Sequence, residues 1–183
     1  MADLTNLANV KQWLGIATTT DDALLTRLVS AASDYIQTWL NRTFASAAYT
    51  EVRDGNGGAK LMFSNYPVTA VASVVIDGVA IPASTGPTAP GYTFSQTQLF
   101  LRGSYRFTRD MQNVSVTYTA GYAQIPNEIA QACIELVGLR YKEKDRIGIV
   151  SKGLAGETIS FTQKDFSEAV ATVLRNYKKV ISL

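Results

Sequence analysis

Val114-Ser115-Val116-Thr117-Tyr118-Thr119 alternates apolar or aromatic with hydroxylated residues; Ala120-Gly121-Tyr122 follows, and Pro126-Asn127-Glu128 then begins a different period. Alternation at period two sends one set of side chains inward and the other outward, which predicts a half-buried strand closed by Gly121-Tyr122. Proline suits the first helical turn, where its missing N–H costs nothing. Ile129, Cys133, Leu136 and Val137 then share one helical face, so a helix is predicted from about residue 126. The fold turns on what stands on either side of this switch from sheet to helix.

Working back toward the N-terminus, β signals continue to Thr43. Tyr92–Phe94 and Leu99–Leu101 read as strands. Val71–Ile76, Asp77-Gly78 and Val79–Ile81 predict a hairpin with a two-residue loop, because both turn residues tolerate positive φ. Pro67 and Pro82 bracket that hairpin, Asp54-Gly55-Asn56-Gly57-Gly58 is a turn cluster, and Pro82–Gly91 reads as an irregular, mobile loop. Five or six short strands are expected in all.

Before the β region two helices are predicted. Leu4, Leu7, Val10 and Leu14, with Trp13 beside them, stand at helical spacing and Gly15 ends the run. Thr20 is the expected cap of the second helix, ahead of Asp21 and Asp22. Leu25, Leu28, Ala32, Tyr35 and Trp39 form its apolar stripe, widened by Leu24, Ala31, Ile36 and Leu40. On that phase Leu28 and Trp39 are core positions, and a charge at either is expected to unfold the helices.

Beyond the switch, the third helix ends in Arg140, Lys142, Lys144 and Arg146, interleaved with Glu143 and Asp145 ahead of Gly148. Residues 147–163 read as an extended loop with one short strand around Thr158–Phe161, long for a connector. Asp165 and Glu168 resemble a capping pair for a fourth helix carrying Val170, Val173, Leu174, Tyr177 and Ile181. The class expected is α+β. A four-helix core from residues 1–42 and 124–183 carries an inserted antiparallel β-rich region, 43–123, in one compact domain.

Composition narrows the chemistry. The 183 residues are 46% hydrophobic and 17% charged, as in a folded protein whose core needs no staples. With no histidine, the commonest general base and every imidazole metal site are excluded. Cys133 is alone, so no intrachain disulfide forms. A net charge of +2, without a basic block, argues against duplex DNA recognition through phosphates. The N-terminus lacks the pattern of a secretion signal and no apolar run approaches the roughly 20 residues that cross a bilayer, so a cytosolic protein is expected.

Several groups of side chains are open to a chemical reading. Tyr49, Tyr66, Tyr92, Tyr105, Tyr118 and Tyr122 suit a stacking platform or, more simply, sheet packing. Asp54, Asp77 and Asp110 suit turn chemistry better than a cation site, since no later glutamate completes a calcium loop. Glu128 and Glu135 lie two helical turns apart, a spacing open to acid–base work but without a cleft signal.

Particular strings carry a family resemblance over nearly the whole chain: Val10-Lys11-Gln12-Trp13-Leu14, Asp21-Asp22-Ala23-Leu24-Leu25, Asn41-Arg42-Thr43-Phe44, Asn65-Tyr66-Pro67-Val68, Val74-Val75-Ile76-Asp77-Gly78, Val114–Tyr122, and Leu139-Arg140-Tyr141-Lys142-Glu143-Lys144-Asp145-Arg146-Ile147-Gly148. In order and spacing they resemble the head-tail connector proteins of long-tailed phages, also called adaptor or head-completion proteins, in a larger form with a β insertion. The resemblance implies a non-enzymatic virion component without catalytic, metal or cofactor residues. It implies a ring beneath the portal, homododecameric to match it, which continues the DNA channel and offers a platform to the stopper or tail-completion protein. Double-stranded DNA would pass without sequence-specific binding, and no membrane would be involved. The protein would sit in the virion neck after assembly in the host cytoplasm.

Within that resemblance two sets of residues are candidate contacts. Ile147, Ile149, Ser151, Lys152, Leu154, Thr158 and Phe161 lie on the long loop, a candidate docking arm for the portal or a neighbouring subunit. Arg140, Lys142, Lys144 and Arg146 are candidate channel or interface charges, or else a solvated helix end complementing the dipole. The competing readings are a tail-side or stopper component of the neck and, from another class, a carbohydrate- or surface-binding β module on a helical scaffold. A DNA-processing enzyme lacks the compact acidic cluster it would need.

Overall fold

The computed structural model describes residues 2–144, 151–154, 157–160, 166 and 168–179. The element order is α1 (Leu7–Leu14), α2 (Asp22–Leu40), β1 (Ala47–Arg53), β2 (Lys60–Met62), β3 (Val68–Ile76), β4 (Val79–Ile81), β5 (Gly91–Phe94), β6 (Gln98–Arg102), β7 (Val114–Ala120), α3 (Asn127–Glu143), β8 (Ser151–Leu154), β9 (Glu157–Ser160) and α4 (Glu168–Asn176). All strand pairs are antiparallel, so the fold is α+β. The chain divides into two compact units. Residues 1–44 and 125–183 form one, and residues 45–124 the other.

In the helical unit α2 packs on α3, α1 on both, and α4 on α3. The first helix starts later than its apolar spacing predicts. Asn6 caps it, its side chain accepting the Asn9 N–H at 2.9 Å, and Leu4 lies outside the helix yet is buried. The N-cap of α2 is Asp21 rather than Thr20, and its carboxylate makes no capping bond. It accepts instead from the Tyr141 hydroxyl at 2.5 Å, with Lys144 at 3.9 Å. That short bond holds the Tyr141 hydroxyl above its ordinary pKa, the Asp21 contact being the largest cause.

The buried stripe of α2 is Leu25, Val29, Ala32, Ser33, Ile36, Gln37 and Leu40, so Leu28, Tyr35 and Trp39 stand at its flank, half-buried. The phase is set by polar groups that an apolar pattern does not see. Ser33 Oγ accepts the Leu4 N–H at 2.9 Å and lies 3.6 Å from Cys133 Sγ, while Gln37 Nε2 donates to the Ala2 and Ser33 carbonyls. The N-terminal segment thus lies along α2 and claims a polar strip of it. Trp39 is engaged on the flank by the Phe166 ring at 5.8 Å and by Lys178 Nζ at 5.2 Å.

The other unit holds seven strands in two sheets, ordered β1-β7-β3-β4 and β2-β6-β5. Their inner faces share one core that includes Phe63, Val74, Leu99, Leu101, Phe107, Val116 and Tyr118. Residues of β7 alternate strictly between buried and half-buried, as the period-two reading expects. Asp77 (φ 52°) and Gly78 (φ 78°) form the two-residue turn between β3 and β4. Positive φ at both positions gives the turn the twist that antiparallel strands need, and the aspartate–glycine pair adopts it cheaply.

The loop from Pro82 to Gly91 is tied down rather than loose: Ser84 Oγ meets the Gly86 and Ala89 carbonyls at 2.8 Å, and Arg102 donates to Gly86 O at 3.0 Å. The unit is entered and left side by side, through a bridge between Ala45 and Tyr122 in which the Ser46 N–H donates to Tyr122 O at 3.2 Å. Gly121 makes that approach possible. A Cβ there would lie 2.5 Å from Ala45 O, at a φ of +116°.

Candidate functional site

Of the four candidate charges at the end of α3, Arg140, Lys142 and Lys144 lie among the described residues. Arg140 is half-buried with its guanidinium 5.0 Å from the centre of the Tyr35 ring, and Lys144 lies over Tyr141 at 4.5 Å besides reaching Asp21. Both are engaged within the helical unit. Lys142 is exposed, and Arg146 lies outside the described residues.

Of the candidate docking arm, Ile147, Ile149 and Phe161 also lie outside the described residues. Ser151, Lys152 and Leu154 fall on β8 and Thr158 on β9. The two pair as an antiparallel hairpin with Ser151 opposite Ser160 and Leu154 opposite Glu157. The segment therefore holds two strands where the sequence reading expects one, because β8 is short and contains Gly153, which gives no β signal. Among the described strands, β8 and β9 pair only with each other.

A groove of about 230 Å³ lies between α3 and α4, lined by Glu128, Gln131, Ala132, Glu135, Val170 and Val173. It brings together the two carboxylates that the sequence singles out. Glu128 accepts the Tyr177 hydroxyl at 2.9 Å and Glu135 accepts from Gln131 at 3.0 Å, so both act as hydrogen-bond acceptors at the groove wall.

The aspartates serve the turns, as expected. Asp54 accepts the Gln112 N–H at 2.7 Å, and Asp110 that of Met111 at 2.8 Å. Asp77 accepts from the Thr108 hydroxyl and, at 2.9 Å, from Asn113; these bonds, Thr108 first, hold its carboxyl below the usual range. No group of three acidic or cysteine residues among the described residues could hold a metal ion. Tyr92 and Tyr118 are buried, while Tyr49, Tyr66, Tyr105 and Tyr122 are half-buried; Tyr49 and Phe63 pack on the Tyr118 ring at 5.8 and 4.7 Å. These tyrosines pack the β unit rather than forming an exposed platform.

One surface had no signal in the sequence until the registers were known. The outer face of the four-stranded sheet reads, row by row, Ala48–Thr119–Ala70, Thr50–Thr117–Ser73 and Val52–Ser115–Val75–Ala80. None of these residues is charged and all are exposed or half-exposed, Val52 at 56%. A solvated sheet face ordinarily interleaves both signs of charge. Each residue is unremarkable on its own strand, and only the pairing of β1, β7 and β3 assembles them into one surface.

Known proteins supply the context for these surfaces. Solved structures similar in fold come from the gene transfer agent particle. A chain in the neck of the empty particle, computed with C6 symmetry, matches with TM-score 0.61 and 18% identity, covering 98% of this chain and 92% of that one. A chain in the neck of the native particle, computed with C12 symmetry, matches with TM-score 0.59 and 18% identity, over 97% and 90%. A third, from the virion of the native particle, matches with TM-score 0.59 and 18% identity, over 98% and 92%. Comparison with curated protein sequences gave no match. The model of the head completion protein family matches residues 3–180 and spans both units, in keeping with the resemblance read from the ordered strings, and the chain belongs to that family.

Proposed function

We propose that this protein is a structural, non-catalytic subunit of the virion neck that completes the head as a head-tail connector ring beneath the portal. The family match over residues 3–180 carries the reading. The full-length likeness in fold to chains from necks of C6 and C12 symmetry supports a ring of identical subunits, and a homododecamer on the portal is the form we adopt. In this reading the helices of residues 1–42 and 124–183 form one four-helix core, interrupted in sequence by the β insertion of residues 43–123. Double-stranded DNA passes through without sequence-specific contacts, which suits the net charge of +2, since a strongly basic lining would hold phosphates. The segment around β8 and β9 docks on a neighbour or the portal, and the exposed Lys142 faces a partner or the channel. The stopper or tail-completion protein binds below. Assembly takes place in the host cytoplasm.

Quantitative mass spectrometry of separated heads and tails tests this. Copies equal in number to the portal and retained on filled heads are expected. Retention on tails alone would move the protein to the tail-side or stopper position. Absence from both fractions would overturn the virion reading and favour a carbohydrate- or surface-binding module.

A further inference from the structure

Two β elements have an unpaired edge among the described residues, and they are of complementary kinds. The first is β1, an edge strand of seven residues whose side away from β7 makes no strand pairing among the described residues. Natural edge strands are protected by outward lysines, prolines, bulges or a covering element, because bare N–H and C=O groups template another strand. β1 has no lysine, proline or bulge, and its two charges, Glu51 and Arg53, share the face of Tyr49 and are bound to each other and to the chain at Met62–Asn65, which leaves the outward row without a charge. Its outward side chains Ala48, Thr50 and Val52 are exposed and uncharged, and they continue into the uncharged sheet face behind them. The second is the β8–β9 hairpin, a two-stranded sheet of four residues per strand that pairs with no further strand among the described residues. Two strands alone are marginal in water and gain most from a third.

We infer that the β8–β9 hairpin of one copy adds to the β1 edge of the next, extending the four-stranded sheet across the subunit boundary. This rests on the ring reading above. Donor hairpin and acceptor edge are different surfaces of the same chain, so the contact is heterologous: it repeats head to tail and closes by geometry, as a ring demands. Main-chain hydrogen bonds supply the attraction, and the uncharged face beside the edge lets the incoming strands approach without desolvating a charge. The other edge, β4, has only three residues and offers a much shorter template.

Cysteine cross-linking in purified necks assembled from the full-length chain tests the inference. Thr50→Cys or Val52→Cys is combined in the same chain with Ser151→Cys, Lys152→Cys, Thr158→Cys or Ile159→Cys, which covers both hairpin edges and both side-chain directions. Adjacent strands bring Cα atoms within the roughly 4.4–6.8 Å that a disulfide needs. Mild oxidation is expected to give a ladder of linked subunits for at least one pair, whereas each single variant stays monomeric on a non-reducing gel. Necks that contain the variant in normal amount, yet give no ladder with any pair, would overturn the strand addition and leave the ring standing. Dimers from Thr50→Cys or Val52→Cys alone would overturn it in favour of a two-fold β1–β1 contact. Loss of the unsubstituted chain from the neck would remove the ring reading and this inference together.

Discussion

The Tyr118 hydroxyl on β7 donates to the Glu51 carboxylate on neighbouring β1, and the same hydroxyl accepts the Asn65 backbone N–H at 3.1 Å. Glu51 in turn accepts from Arg53 at 3.3 Å and from the Ser64 N–H at 3.4 Å. One phenol and one carboxylate therefore fix the chain from Ser64 to Asn65 against the sheet. Tyr118→Phe keeps the ring contacts but leaves the Asn65 N–H and a Glu51 oxygen short of partners, at a cost of about 1–3 kcal/mol. Urea unfolding followed by circular dichroism reads the loss.

The same pair makes stability sensitive to alkali. Burial first, then the bond to Glu51, pushes the Tyr118 pKa well above its ordinary value of 10.0. In the unfolded chain the phenol loses its proton near pH 10, while the folded one keeps it. The contribution is therefore complete below about pH 10 and declines as pH rises beyond it. A midpoint that falls less steeply above pH 10 in Tyr118→Phe than in the unsubstituted protein is the expected result.

In the helical unit Ile36 is fully buried while Leu28 is only half-buried. Ile36→Asp is expected to unfold that unit, since an unpaired buried charge costs several kcal/mol. Leu28→Asp is expected to leave it folded with a lower melting temperature. Thermal unfolding of the two variants by circular dichroism separates this phase of α2 from the one its leucines and aromatics suggest.

Gly138 lies inside α3, where a Cβ would meet Leu14 Cδ2 at 3.5 Å and the Trp13 ring at 3.7 Å, both ordinary contacts. Gly138→Ala should stabilise the protein by about 0.5–1 kcal/mol, through the helix preference of alanine and the smaller entropy of its unfolded chain. Gly121→Ala should do the reverse, since its Cβ would strike Ala45 O in a backbone conformation that alanine rarely adopts. Denaturant midpoints of the pair provide the check.

Cys133 is buried on α3, and burial, the largest cause, raises its thiol pKa to about 11. At pH 8 the thiolate is scarce and shielded, so alkylation of the native protein should be slow and should become rapid on unfolding. Mass spectrometry after timed iodoacetamide treatment tests this.

Thr50→Lys with Val52→Lys places two charges on the outward side of β1, the protection this edge lacks. Both positions are exposed and the change removes only the Thr50–Thr117 hydroxyl contact at 3.2 Å, so the chain should fold with a slightly lower melting temperature and yet be reduced in purified necks. Normal incorporation would count against β1 as a contact.

The local signals read correctly where local chemistry decides the outcome. The Asp77-Gly78 turn, the alternation of β7 and the start of α3 after Pro126 each follow from a few adjacent residues. The phase of α2 did not, because Ser33 and Gln37 are buried by contacts to Leu4 and Ala2, some 30 residues away in sequence, and no apolar period reveals such a partner. Thr20 was displaced as cap by Asp21, whose carboxylate is drawn to Tyr141 on α3. The uncharged sheet face was illegible for the same reason. It is a property of the register between β1, β7 and β3, each of which looks ordinary alone.

The bridge between Ala45 and Tyr122 has a consequence for how the chain folds. Contacts of the helical unit such as Ser33 with Cys133 join residues 100 apart in sequence, a separation that slows folding when the intervening chain is loose. Once the β unit has closed, its roughly 80 residues act as a link a few residues long, because entry and exit already lie side by side. By the logarithmic dependence of loop closure on length, this lowers the entropic cost of joining the two halves of the helical unit by about 2–3 kcal/mol. A closed β unit thus turns a distant encounter along the chain into a local one.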